Sequence, residues 1–236
     1  LLCIFASMKF QLWLWVVIFA YTLPLFAQET TLSPSSLPTT EKTSTNLAFK
    51  AGEWLKFRIH YGIFNASYAT IELREAEWNG RPAFYAKGIG RTTGLARLFF
   101  KVDDYYSSYF TKDDNRPLHF IRNINEGGYK KHLKIDFDHL KKQATVIDIK
   151  KEKTGIYNTD PDIQDLISFV YYLRKQLDVN AIKKDEFVVV NLFFDSENYA
   201  FKFKFVGIET IKTKFGKVKT LKFRPYVQSG RVFRSS

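Results

Sequence analysis

Trp54-Leu-Lys-Phe-Arg-Ile-His-Tyr61 alternates without a break, with Leu55, Phe57, Ile59 and Tyr61 on one side and Lys56, Arg58 and His60 on the other. A period of two with one apolar side is a strand packed on one face and wet on the other. The same rhythm recurs at Ser67 to Glu77 through Ala69, Ile71 and Leu73. Asn79-Gly80 then supplies the positive backbone angles of a tight hairpin, and Ala83 to Gly88 returns.

Further along, Tyr105 to Phe110 and Leu118 to Ile124 flank the turn K-D-D-N-R-P. Glu126-Gly127-Gly128 turns into Tyr129 to Phe137, where Lys131, Leu133, Ile135 and Phe137 alternate with Lys130, His132, Lys134 and Asp136. Gln143 to Lys150 pairs with it across D-H-L-K-K, and Phe187 to Phe194, Asn198 to Val206 and Val218 to Arg224 continue the meander. One helix is expected. Asp160 is its N-cap and Pro161 its first position, with Ile163, Leu166, Ile167, Val170, Leu173 and Leu177 at helical spacing. The pattern predicts a mainly β chain: a strongly curved antiparallel sheet or open barrel, with one amphipathic helix packed on it.

Composition narrows the class. The 236 residues carry a formal charge of +12, 45% hydrophobic and 17% aromatic residues, and one cysteine. Enough apolar material is present for a core, which excludes general disorder, and a single cysteine excludes an internal disulfide framework. The aromatic load beside a single methionine favours sheet over helical bundle.

From Met8 the chain reads M-K-F-Q-L-W-L-W-V-V-I-F-A-Y-T-L-P-L-F-A-Q, a short basic start, an apolar run and a small residue, Ala27, after Pro24. This is the order of a secretory signal, so residues 1–27 are expected to be upstream sequence plus a signal peptide cleaved after Ala27. Cys3 lies before Met8, leaving no cysteine in the product. Residues 28–48, rich in Ser, Thr and Pro, read as a linker, and 49–236 as a single β-rich domain. The expected address is the periplasm or the periplasmic face of an outer membrane.

Chemistry is sparse. His60, His119, His132 and His139 each lack partners at ligand spacing, so no metal site and no cofactor are expected. There is no G-x-S-x-G elbow. Gly88-Ile-Gly-Arg-Thr-Thr-Gly94 departs from a phosphate loop in its third glycine and reads as a turn between strands. Asp103 or Asp104, followed by Tyr105, Tyr106 and Ser107, places a carboxylate beside rings that can stack on a sugar, the alternative being an aspartate satisfied by a neighbouring Arg or Lys. The lysines are spread over outward strand faces rather than massed in one arm, which points away from nucleic acid and toward an anionic envelope surface.

Several segments together resemble a family: F-K-A-G-E-W-L-K-F-R-I-H-Y-G at 49–62, F-K-V-D-D-Y-Y-S-S-Y at 100–109, P-L-H-F-I-R-N-I-N-E-G-G-Y at 117–129, D-P-D-I-Q-D-L-I-S-F-V-Y-Y-L-R at 160–174 and P-Y-V-Q-S-G-R-V-F at 225–233. The chain is similar to an uncharacterised exported-protein family of Bacteroidetes and proteobacteria, the domain of unknown function 3108. That resemblance implies an antiparallel β envelope protein, here lacking closing strands, and brings no established activity. Family members tend to carry a cysteine where Thr220 stands. The charged residues of these segments are the candidate ligand-binding positions, Asp103, Arg122, Glu126 and Arg174, together with Tyr105; the alternative for the charged four is a buried ion-pair network that fixes the sheet. The expected function is a non-enzymatic module for an acidic glycan or lipid held in an aromatic-lined sheet, with membrane contact only through the signal segment or surface charge. The alternatives are a carbohydrate-active hydrolase or lyase using Asp103 or Glu126, and a scaffold for an envelope protein partner.

Overall fold

A computed structural model describes residues 16–18, 48–61 and 64–226. The signal segment, the linker and the last family-like segment lie outside the described residues, apart from Val16–Ile18, Ala48, Pro225 and Tyr226. In chain order the elements are β1 (Val16–Ile18), β2 (Trp54–Tyr61), β3 (Phe64–Trp78), β4 (Arg81–Thr92), α1 (Gly94–Phe99), β5 (Asp103–Thr111), β6 (Pro117–Glu126), β7 (Tyr129–Asp138), β8 (Gln143–Asp148) and β9 (Lys153–Asn158). They continue with α2 (Ser168–Gln176), β10 (Phe187–Phe194), β11 (Glu197–Thr213) and β12 (Gly216–Tyr226).

The founding alternation holds in space. Leu55, Phe57 and Ile59 are half-buried while Lys56 and Arg58 are exposed, and Ala69, Ile71 and Leu73 are buried on β3. Strands β2 to β9 form one eight-stranded antiparallel meander in sequence order. Its hairpins turn where backbone angles permit: Asn79 and Gly80 both have positive φ (50° and 77°), the pair a two-residue hairpin needs, and the β6–β7 turn uses Gly127 and Gly128 (56° and 96°).

Two expectations are corrected here. The late strands do not continue that meander. They form a second, four-stranded antiparallel sheet in the order β1-β12-β11-β10, and neither sheet closes into a barrel. The physical reason is the long connection through α2, which lifts the chain off the β9 edge before β10 begins. The helix also starts later than its Pro161 signal indicates. Residues around Gln164 instead pair with β10, its N–H donating to the Asn191 carbonyl and its carbonyl accepting from Phe193 N–H, both at 2.8 Å. Asp165, not Asp160, caps α2: its carboxylate accepts from the N–H groups of Ile167 (2.7 Å) and Ser168 (2.8 Å), and the Ser168 hydroxyl accepts from Asp165 N–H. That reciprocal arrangement satisfies donors the first turn leaves open.

α2 lies between the sheets. Tyr171 stacks on Phe110 of β5 (5.2 Å between ring centroids), while Phe169 stacks on Phe203 of β11 (6.1 Å). β4 accommodates the approach by being small: a Cβ on Gly88 would stand 2.9 Å from Ile167 Cδ1. One core cluster runs through both sheets and includes Leu73, Phe84, Phe120, Leu133 and Phe205. Each such side chain, fully buried, contributes about 1.5–3 kcal/mol. α1 and β9 lack any counterpart in the alternation pattern, and the Gly88–Gly94 string runs along β4 into α1 rather than forming a turn.

Candidate functional site

Alternation along β5 divides its side chains. Asp104, Tyr106, Ser108 and Phe110 face the core side, and Asp103, Tyr105, Ser107 and Tyr109 face outward. Adjacent aspartates therefore have opposite environments.

On the core side, register sets Tyr106 across from Arg122 of β6, with an isolated bridge between Val102 and Glu126 one step on. Asp104 is thus flanked diagonally by Arg122 and Glu126. Its Oδ1 accepts from Asn125 N–H at 3.2 Å, while its Oδ2 is buried without a hydrogen-bond partner. Burial, then the neighbouring Glu126 charge, push the Asp104 carboxyl up to about 7. Arg122, only 5% exposed, reaches out of the sheet to Asp195 in the β10–β11 turn, where Lys131 also binds. Its guanidinium sits 4.4 Å from the Phe194 ring, and its Nε is buried without a hydrogen-bond partner. This cluster joins the two sheets through the ion pairs of Arg122 and Lys131 with Asp195.

On the outward side, register aligns side chains in transverse rows. One row runs Arg74, Tyr85, Tyr109, His119, Asp136 across β3 to β7; the next runs Glu72, Lys87, Ser107, Ile121, Lys134; a third holds Thr70, Ile89, Tyr105, Asn123, His132. The rings touch. Trp78 stacks on His119 at 4.4 Å and lies 4.7 Å from Tyr109, which lies 4.8 Å from Tyr85. The hydroxyls of Tyr85 and Tyr105 are 2.8 Å apart, and burial with that neighbour holds the Tyr85 phenol well above its ordinary range. His119 Nδ1 is 2.7 Å from Asp136. The result is a strip of rings, half-buried at Trp78, Tyr85, Tyr105 and Tyr109 and buried at His119, edged by hydroxyls, amides and the amines of Lys87 and Lys134.

The candidates read from sequence fall in four separate places. Asp103 is on the outward side, gripped by Arg97 through two hydrogen bonds (2.8 and 3.0 Å), which hold its carboxyl below the usual range. Tyr105 belongs to the aromatic strip. Arg122 and Glu126 belong to the core-side cluster, where Glu126 meets Asp104 rather than Asp103. Arg174 lies on α2 and forks onto Glu53 (2.6 and 2.7 Å) while donating to the Ala48 carbonyl. That fork ties α2 to the segment entering β2.

Asp104, Asp195, Trp78, Tyr85, Tyr109 and His119 are absent from the candidate ligand-binding positions read from sequence. Strand parity carried the signal for two of them, since Asp104 is in phase with buried Tyr106, and Tyr109 is in phase with Tyr105. Asp195 and Trp78 had none, because their partners are more than 30 residues away in sequence. The packed side of the large sheet is filled by Phe and Leu under α2, so the open aromatic surface is the other side. Among the described residues no group of three or more His, Cys, Asp or Glu is placed to hold a metal ion, and no helix is long and apolar enough to cross a membrane.

These features define the class: a mainly β, two-sheet antiparallel protein whose buried charges tie its layers together and whose large sheet turns an aromatic face outward. The chain belongs to the family described as "Protein of unknown function (DUF3108)", whose family model matches residues 56–236. No curated protein and no solved structure matches it.

Proposed function

We propose that this is an exported cell-envelope protein that binds an acidic glycan non-catalytically on the outward face of its large sheet. The observation that carries the reading is the row of touching rings Trp78, His119, Tyr109 and Tyr85, extended to Tyr105 by a hydroxyl contact. Aromatic faces pack on the apolar faces of sugar rings, while hydroxyls and amides serve the ring substituents. Lys87 and Lys134, in the adjoining row, supply charge for carboxylate or phosphate groups on such a chain.

Affinity electrophoresis tests this. Polygalacturonate in the gel is expected to retard the protein and neutral dextran is not. Trp78→Ala and Tyr105→Ala are expected to abolish most of the retardation, and Lys87→Gln with Lys134→Gln to weaken it. Equal mobility in both gels, or retardation indifferent to all four substitutions, defeats the reading.

A second reading, a carbohydrate-active hydrolase or lyase, draws on one observation, the Asp104–Glu126 pair with its raised acid. It requires turnover of an acidic polysaccharide that Asp104→Asn eliminates.

A further inference from the structure

We propose that the tip formed by α1 and the β6–β7 turn inserts into the interface of an anionic lipid bilayer. The basis is an inverted helix. In G-L-A-R-L-F, a soluble helix would turn its leucines inward and its arginine outward. Here Leu95, Leu98 and Phe99 are 62, 80 and 88% exposed, whereas Ala96 and Arg97 face the protein.

The inversion is fastened in place. Arg97 reaches back to Asp103 and also donates to the Thr92 and Val102 carbonyls at the two ends of the loop. The Thr92 hydroxyl accepts from Val102 N–H at 2.9 Å, and Gly127 N–H donates to the Lys101 carbonyl at 2.8 Å. Phe100, 43% exposed, lies against Gly127, where a Cβ would fall inside its ring contact distance. Gly127 thereby joins the helix to the turn that carries Tyr129, itself 58% exposed. The apolar side chains are held outward by polar bonds on the opposite side, so the patch cannot be folded away by rotating α1.

Charge identifies the occupant. Arg91 and Lys101 flank the patch with side chains 66 and 58% exposed, standing 3.7 and 3.6 Å from Asp103, whose single negative charge they share with Arg97, and Lys130 is exposed beside Tyr129. An apolar tip ringed by cations complements acyl chains beneath anionic headgroups. Side chains that project this far need no shaped pocket, and a fluid lipid interface supplies none. This inference stands apart from the glycan reading, which uses a different surface.

The test uses the full chain with Cys3→Ser and a polarity-sensitive nitrobenzoxadiazole label at Phe99→Cys, with Leu140→Cys, at the far end of β7, as the control. Vesicles of phosphatidylcholine alone, or mixed with phosphatidylglycerol, are titrated in. The label at 99 is expected to brighten and shift blue with the anionic vesicles, and the label at 140 to stay unchanged. Because the readout is local, attachment by the apolar N-terminal run alone leaves position 99 in water. Arg91→Gln with Lys101→Gln is expected to weaken anionic binding about tenfold or more, as loss of roughly 1 kcal/mol per surface cation implies. The proposal is overturned by a silent label at 99, by equal responses at 99 and 140, or by a shift at 99 that needs only higher protein concentration. That last result would make the tip a contact between copies of the chain.

Discussion

Asp104 of β5 and Glu126 of β6 are diagonal neighbours on the core side of the large sheet, where the Asp104 Oδ2 is buried without a hydrogen-bond partner. Burial disfavours its charge and the neighbouring Glu126 carboxylate repels it, and together they push the Asp104 carboxyl from 3.8 up to about 7.

Stability therefore depends on pH in a direction unusual for a carboxylate. Between about pH 4 and about pH 7 the folded state holds a proton at Asp104 that the unfolded chain releases. The stabilisation is complete below the unfolded value and is lost as pH rises through the folded one. Asp104→Asn keeps an acceptor for Asn125 N–H and carries no titrating proton, so it removes this dependence. Urea unfolding at pH 5 and pH 8 should show the wild-type protein losing on the order of 2–4 kcal/mol more than the variant over that interval. Parallel profiles would mean that Asp104 does not take up a proton on folding.

The Arg122–Asp195 ion pair spans the two sheets, and its partners differ in burial, with Arg122 nearly enclosed and the Asp195 side chain 37% exposed. Removing Asp195 leaves a buried cation, whereas removing Arg122 leaves an aspartate that still has Lys131 and water. Asp195→Ala should thus cost about 2–3 kcal/mol, and Arg122→Met less, although Met loses more hydrogen bonds. Equal costs measured in denaturant would show that the attraction, not the stranded charge, dominates.

Arg174 presents two parallel donors to Glu53 and a third interaction to Ala48. Lysine retains the charge and loses the fork. Arg174→Lys is expected to lower stability by about 2 kcal/mol and to speed hydrogen exchange at the N–H groups of Gly52 and Leu73, which pair that segment with β3. Unchanged exchange there would confine Arg174 to α2.

Asp165 is fully buried, serving the N–H groups of Ile167 and Ser168 where α2 begins and the Ser108 hydroxyl (2.6 Å). Burial pushes its carboxyl up to about 6 in spite of these donors. Asp165→Ala strands all of them and should cost about 2–4 kcal/mol, while Asp165→Asn, which keeps an acceptor, should cost less than half as much. Helix content by circular dichroism after partial urea unfolding reads the difference.

Much of the large sheet was legible because its information is local. The period of two in Trp54–Tyr61 and Ser67–Glu77, and the turns at Asn79-Gly80 and Gly127-Gly128, each depend on residues a few positions apart. The helix start was misread for the same reason. Asp160-Pro161 is a good local start, but Gln164 is captured by β10, nearly 30 residues later, and the helix waits for Asp165. α1 was invisible to a search for amphipathic stripes because its apolar side faces outward and its arginine faces in.

The sequence by itself determined which residues alternate, where the chain turns and which strand faces are wet, since backbone geometry and burial periodicity act over short spans. Only the tertiary structure decided that the last strands form a second sheet, that Asp104 rather than Asp103 meets Glu126, that Arg122 answers to Asp195, and that rings from β3, β4, β5 and β6 touch. Those outcomes depend on register between strands and on the path through α2, and an ion pair or ring contact between distant segments leaves no periodic mark in either.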